Sequence, residues 1–417
     1  MSNYINHHQI PLCDELYSAL GKDFFFIESQ PMDEARKNMG WNSDTAGISY
    51  VKRMYEDMET CSKLIMDCDV MILGWTGQDK NAPSEQVIRD RLSSGKPVVR
   101  VSERIYREGR WKAVSPRGLK AKYEEHIKFR NAPVYMLCSG AYVSGDFKMI
   151  GAYPDKMYKW GYFPPFKIYS KEELEELLYK DKKKLHICFA ARLIKLKHPE
   201  LAVETAKHLR NISVDFSLDI LGDGPLFSDI QELIKSEKLE DYVFMHGSLK
   251  PEAVRGIMEK SDVFIFASNY LEGWGAVVNE AMNSACVVVA SSEAGAVPYL
   301  IKDGVNGFTF DSCDKEKLIK KIDALFLDND ATISENVRDR KAPTLNADYV
   351  RKLQKEAYLT IRENWNAKNA AERLLVFCES ITSGSNFSPY EDGPLSRANV
   401  IKAPGFMRTV QEDNHLE

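Results

Sequence analysis

Between Leu185 and about Asp328, short apolar runs of strand length alternate with segments of helical period, and no other feature of the chain constrains its fold as strongly. LHICFAA is followed by PELAVETAKHL, FSLDIL by FSDIQELIKSEKL, YVFMHG by PEAVRGIMEKS, and DVFIFAS by GAVVNEAMNSA. CVVVAS then precedes a short AVPYLI segment, and GFTF precedes KEKLIKKIDALF. Strands rich in Val, Ile and Phe without polar alternation are buried on both faces, and helices between them impose right-handed crossovers. The reading is an α/β protein with a doubly wound parallel sheet.

The first 165 residues repeat the pattern more faintly, with FFFIES, DVMILGW, KPVVRVS and PVYMLCS as strand-like runs. A chain of 417 residues makes two domains the default, so a second Rossmann-like domain is the economical reading. Only Met1 to Ile5 precede the polar NHHQ turn, so strand one is either a stub or begins upstream. Pro164-Pro165 can continue neither a helix nor a central strand, which sets the expected boundaries at 1–165 and 166–360. Residues 361–417 are expected to form a C-terminal helix, ENWNAKNAAERLLVFCESI, and an extended tail rich in turn residues.

Hydrophobic residues at 44 % can build a sizeable core, and a net charge of −5 gives no global reason to expect nucleic acid. No run approaches the roughly 20 apolar residues of a membrane span, and the opening residues lack the blocks of a signal peptide, so the expected location is the cytoplasm. Eight cysteines without a CxxC pair read as reduced core thiols rather than a disulfide framework or zinc site. Asp328-Asn329-Asp330 looks like a DxD motif but ends a helix and reads as a turn, so neither metal nor other cofactor is assigned.

The sharpest chemical feature is Glu272-Gly273-Trp274-Gly275-Ala276-Val277-Val278-Asn279-Glu280-Ala281-Met282, which follows a buried strand and opens a helix. In a doubly wound sheet such a loop lies at the carboxyl edge, where ligands bind and free amides attract phosphate. Its two carboxylates, eight residues apart, can accept hydrogen bonds from sugar or ribose hydroxyls. A cationic element, Ala191-Arg192-Leu193-Ile194-Lys195-Leu196-Lys197-His198-Pro199, supplies Arg192 to fork onto phosphate oxygens and Lys197 as a point charge. Together they suit a nucleotide carrying a diphosphate and a hydroxyl-rich head. Taken singly, each has a plainer reading: turn chemistry for Glu272 to Gly275, solvated cap residues for the cations, a buried structural carboxylate for Glu280. Gly222-Asp223-Gly224-Pro225 reads as a tight structural turn before a helix.

These residues, with His246-Gly247 at a strand end, make the segment from about 185 to 325 resemble the donor-binding domain of retaining glycosyltransferases of family 4, glycosyl transferases group 1. The resemblance implies the GT-B fold, two Rossmann-like domains facing a cleft. It implies that Arg192 and Lys197 hold the donor diphosphate, Glu272 meets the transferred sugar and Glu280 holds the ribose. It also implies that the amides of Gly273, Trp274, Gly275 and Ala276 face sugar and phosphate, and that His246, Gly247 and Leu249 lie near the base. The opening Asn6-His7-His8 resembles the acceptor-side loop of bacterial surface-polysaccharide members, and Trp160-Gly161-Tyr162-Phe163-Pro164 and Asp392-Gly393-Pro394-Leu395 resemble that branch too. Where many members keep a histidine after a strand like KPVVRVS, this chain has Ser102-Glu103-Arg104. Glu103 either takes over the polar contact or marks a different donor sugar.

No Ser-His-Asp set or obvious covalent nucleophile can be spaced out, which fits transfer from a nucleotide-sugar to a saccharide or lipid-linked acceptor better than hydrolysis. Two other readings stay open: a non-catalytic GT-B scaffold for a second transferase, and a sugar-nucleotide epimerase or phosphorylase on the same fold. Residues 88–130 carry thirteen Lys/Arg against five Asp/Glu, interleaved with Tyr106 and Trp111. That excess reads either as a solvated face or as a peripheral contact with an anionic membrane or lipid-diphosphate acceptor.

Overall fold

Strand order follows from where the buried runs can pair. The computed structural model describes residues 1–32, 47–77, 82–106, 115–179, 184–311, 314–327, 342–401 and 403. They form two units, Met1–Pro165 joined by the chain from Asn364, and Phe166–Glu363.

Unit 1 contains Phe26–Glu28 (β1), Val51–Arg53 (β2), Met71–Leu73 (β3), Val98–Ser102 (β4), Val134–Ser139 (β5) and Met157–Trp160 (β6). All pair in parallel, as β1-β2 and as β3-β4-β5-β6. The opening residues run between these two groups: Ser2 N donates to Ile27 O at 3.1 Å, and Asn3 N donates to Trp75 O at 2.6 Å. Gly74 N donates to Met1 O at 2.9 Å, so residues 1–3 bridge the two groups. β2 and β6 are absent from the sequence reading because they are short and interrupted by Lys52, Arg53 and Lys159, as edge strands often are. The outer edge of β6 is covered by the C-terminal tail. Lys159 N donates to Ser396 O at 2.8 Å, and Leu395 N donates to Lys159 O at 2.9 Å. Helix Ala367–Ser383, capped by Asn366 and ended by Gly384 in the left-handed region, packs on helix Ile10–Leu20.

The basic segment departs from a single cationic face. Arg91 is fully buried and donates to the carbonyls of Met66, Cys68, Asp69 and Pro97. Lys96 donates to the carbonyls of Met66 and Asp67, and Arg100 to that of Glu125. Arg104, Lys122 and Lys128 pair with Asp146, Glu125 and Glu124. Six of the thirteen cations are therefore engaged inside unit 1. Arg107, Arg110, Trp111 and Lys112 lie outside the described residues, as do Asp328 to Asp330 and Cys313. Cys13, Cys61, Cys138, Cys188 and Cys286 are buried thiols. Among the described residues no helix is long and apolar enough to cross a membrane.

Unit 2 holds Leu185–Ala190 (β7), Phe216–Leu221 (β8), Val243–Gly247 (β9), Val263–Phe266 (β10), Val287–Ser291 (β11) and Gly307–Phe310 (β12), in the order β12-β11-β10-β7-β8-β9, all parallel. Every residue of β10 and β11 is buried, as unalternating apolar runs demand. Ile187, Phe189, Leu218, Ile220, Val263, Ile265, Val287 and Val289 lie in one apolar cluster. Successive strands run one way from β7 to β9 and the other way from β10 to β12, so the order reverses between β7 and β10. There the loops after the two strands diverge and leave a crevice at the carboxyl edge.

The turn after β8 supports the loop after β7. Leu193 N donates to Asp223 O at 2.9 Å, and Leu226 N donates to Leu193 O at 3.0 Å. Gly222 has φ +129°, and a Cβ there would lie 1.9 Å from the Ala191 carbonyl oxygen. The Gly222→Ala variant therefore combines backbone strain with a clash against rigid main chain. It is expected to cost at least about 2 kcal/mol in denaturant unfolding; a stability within error of the parent would show that the two loops are not in contact.

Candidate functional site

The loops after β7 and β10 are tied to each other by main chain and side chain. Asn269 N donates to Leu196 O at 2.9 Å, while its Oδ1 accepts from Leu271 N at 3.0 Å. Its Nδ2 lies 3.3 Å from Nε2 of His198, whose Nδ1 is 2.7 Å from Glu200 Oε1, a pairing that places the ring proton on Nδ1. His198 takes the left-handed conformation at φ 48° immediately before Pro199, which opens the next helix. Asn269 and His198 were given no role in the sequence reading. The His-Pro pair at a strand-to-helix turn is the one signal that hints at the second.

This tie brings Lys197 and Glu272 into a direct ion pair, with side chains only 15 % and 17 % exposed. Lys197 Nζ also lies 5.9 Å from the centre of the Phe266 ring. Arg192, on the same loop, is exposed and has no partner among the described residues. The site therefore presents one cation held by a carboxylate and one uncompensated guanidinium.

Gly275 follows with φ +92°, and a Cβ there would sit 2.5 Å from the Phe266 ring. The Trp274 side chain is buried and its indole N–H donates to Asn279 Oδ1 at 2.9 Å, so what this residue can offer a ligand is main chain. The amides of Gly273, Gly275 and Ala276 make no hydrogen bond among the described residues. Glu280, on helix Val277–Asn283, is half-buried, and burial pushes its carboxyl above the ordinary range against the pull of Arg255.

His246 and Gly247 stand at the carboxyl end of β9. His246 Nε2 is 2.6 Å from Asp219 Oδ1, Gly247 O accepts from Gly222 N at 2.8 Å, and Leu249 is exposed. Three strand spacings separate β9 from β10, about 14 Å at roughly 4.8 Å each. The unit 2 residues thus form two groups on one edge, Arg192, Lys197, Glu272 and Glu280 at the switch point and His246 to Leu249 at the flank.

In unit 1, Asn6 Oδ1 accepts from His8 N at 3.0 Å just ahead of helix Ile10–Leu20. The rings of His7 and His8 are 3.8 Å apart, and His8 stacks on Tyr162 at 6.2 Å and 15°. The Tyr162 hydroxyl donates to the Glu103 carboxylate, so Tyr162 links two elements that are distant in sequence. Burial, aided by the neighbouring His7, pushes His8 down to about 3, and burial lowers His7 as well. This unit 1 group is a set of neutral rings around one carboxylate.

Because Glu280 titrates above its ordinary value of 4.5 in the folded chain, its contribution is fully present below that pH and is lost as pH rises through the raised value. Glu280→Gln is expected to melt at a higher temperature than the parent at pH 8 and at nearly the same temperature at pH 4, by thermal unfolding. A variant less stable than the parent at pH 8 would mean that the ionised carboxylate is itself a structural partner.

Comparison with known proteins bears on this geometry. Residues 170–341 match the family model Glycosyl transferases group 1. WcaL of Escherichia coli (strain K12), named as a colanic acid biosynthesis glycosyltransferase, is 29 % identical over 37 % of this chain and 40 % of its own. The D-inositol 3-phosphate glycosyltransferase of Arthrobacter sp. (strain FB24) is 30 % identical over 35 % of each chain. The match thus spans 35–40 % of the length of these curated relatives. Among solved structures, Anabaena Alr3699/HepE in complex with UDP superposes with a TM-score of 0.61 at 13 % identity, over 91 % of this chain and 98 % of that one. At such identity the likeness is one of fold, and the chain has the two-domain, Rossmann-like GT-B fold, with the segment that matches the Glycosyl transferases group 1 model beginning in its second unit.

Proposed function

We propose that the chain is a retaining glycosyltransferase that moves a sugar from a nucleotide-diphosphate donor to a saccharide or lipid-linked acceptor in cell-surface polysaccharide assembly. The observation that carries this reading is the Lys197–Glu272 pair at the switch point, tied in place by Asn269 and His198 beside an unpartnered Arg192. In the donor-free protein Lys197 and Glu272 satisfy each other. With donor bound, the diphosphate takes Lys197 and Arg192 while the sugar hydroxyls take Glu272, so both groups exchange one partner for another without being left bare. Glu280 holds the ribose and His246, Gly247 and Leu249 border the base, a placement that matches the length of an extended nucleotide-sugar. UDP-sugars are the first probes, because the fold neighbour HepE is described with UDP and glucose.

The chemistry asked of the chain is electrostatic. As the bond from the anomeric carbon to the leaving phosphate oxygen breaks, negative charge grows on the diphosphate, where Arg192, Lys197 and the amides of Gly273 to Ala276 stabilise it. The acceptor oxygen bonds to the same face of that carbon, and its proton passes to the departing phosphate oxygen. Asn6, His7 and His8 serve the acceptor side, and Glu103 supplies to the transferred sugar the polar contact that a histidine makes in many members of the family this chain resembles. The WcaL name supports surface polysaccharide as the product class.

Arg192→Ala is expected to lower UDP-sugar turnover by about 100-fold or more with the melting temperature unchanged, and Glu272→Gln to lower it comparably with a reduced melting temperature, because Lys197 loses its carboxylate partner. The check is nucleotide release measured across a panel of saccharide acceptors. Turnover near the parental rate in both variants would remove these residues from the site.

A further inference from the structure

Unit 1 carries a cavity of about 420 Å³ with cations in its lining, at the opposite end of its sheet from His8, Tyr162 and Glu103. Met157, the first residue of β6, lines it, whereas Trp160 ends that strand near Tyr162. Three separate stretches of chain supply its cations: Arg130 before β5, Lys148 on helix Val143–Met149, and Arg397 from the tail. Arg130 and Lys148 are exposed and have no carboxylate partner among the described residues. Arg397 donates to the backbone carbonyl of Asp155 and pairs with no carboxylate among the described residues, and its guanidinium lies 5.3 Å from the centre of the Tyr158 ring. Among the described residues of the lining Asp155 is the one carboxylate, so three cations against one acid leave an excess of two positive charges there.

The wall made by the tail is held in place. Ser144 Oγ donates to Asn399 O at 2.7 Å, Ala398 N donates to Met157 O at 3.2 Å, and a Cβ on Gly145 would lie 2.5 Å from Ile401 O. The cavity is therefore shaped before any ligand arrives, and its volume lies within the roughly 300–1,000 Å³ typical of small-molecule sites.

We propose that this cavity binds a phosphoryl group at a site separate from the donor-binding edge of unit 2. Guanidinium forks match the oxygens of a phosphoryl group, and a phosphate monoester near −1.5 to −2 at neutral pH offsets the two excess charges, which a single carboxylate would not. The same chemistry is offered by free phosphate and by the headgroup of a phosphatidic acid. The site does not depend on the transferase reading, since no residue in it belongs to that machinery.

The experiment titrates inorganic phosphate by calorimetry into the full chain, into Arg130→Gln/Lys148→Gln and into Arg192→Gln. In parallel, the same proteins are co-sedimented with phosphatidylcholine vesicles with and without phosphatidic acid. Both altered side chains of the double variant are exposed, and an unchanged melting temperature confirms that it folds. Saturable binding that persists in Arg192→Gln and weakens by about tenfold or more in the double variant is the expected result. Binding of inorganic phosphate without pelleting identifies the free ion as the source. Pelleting that requires phosphatidic acid and is lost in the double variant identifies the lipid headgroup. Absence of both kinds of binding, or their survival unchanged in the double variant, overturns the proposal.

Discussion

The reversal of strand order between β7 and β10 is the constraint from which the candidate site follows. An open sheet of parallel strands joined by right-handed crossovers covers both faces with helices only by building in both directions, and at the point of reversal two neighbouring loops lead away from each other. Here those loops carry Arg192 and Lys197 on one side and Glu272 on the other. Divergent loops would not by themselves hold two charges at contact distance. The Asn269 amide on Leu196 O and the Asn269–His198 contact draw them together, and the left-handed His198 permits the abrupt start of helix Pro199–Asn211.

That arrangement also solves an electrostatic problem. A lysine and a glutamate that are each mostly shielded from water would both be costly if alone, and pairing them lowers the cost until a ligand takes over both roles. Arg192, by contrast, stays in solvent, where an unpaired guanidinium costs little. A diphosphate would therefore find one cation already positioned and one still hydrated. The Gly222-Asp223-Gly224 turn contributes from beneath, because only glycines at its two ends let its main chain rest on the carbonyls of Ala191 and Leu193.

Unit 1 is assembled from weaker local signals and completed by distant parts of the chain. Its first rung is only three residues long, yet it joins the two groups of strands. Its last strand is sealed by the tail. The aromatic cluster of Tyr135, Tyr158, Phe377 and Phe387 packs helix Ala367–Ser383 and the tail against β5 and β6, with ring centroids 4.9–5.5 Å apart. The basic excess of residues 88–130 shows the limit of counting charges along a sequence. Arg91 serves as an internal staple for four carbonyls, a role invisible to a tally of signs.

The sequence by itself determined the fold class and all six strands of unit 2, since burial on both faces is written into local composition: a run such as VFIF or VVVAS has few other ways to be satisfied. It also marked Arg192, Lys197, Glu272 and Glu280 as chemistry-bearing, because charged residues at or just after strand-to-helix turns are a local pattern. The tertiary structure alone decided which of them meet. Lys197 and Glu272 are 75 residues apart, Tyr162 and Glu103 are 59 apart, and Ser144 and Asn399 are 255 apart. Such neighbours depend on strand order, register and the path of the tail. These are properties of the whole packed chain and leave no periodicity in any window of it, which is why the Tyr162–Glu103 contact, the role of Asn269 and the gathering of Arg130, Lys148 and Arg397 could be recognised only in three dimensions.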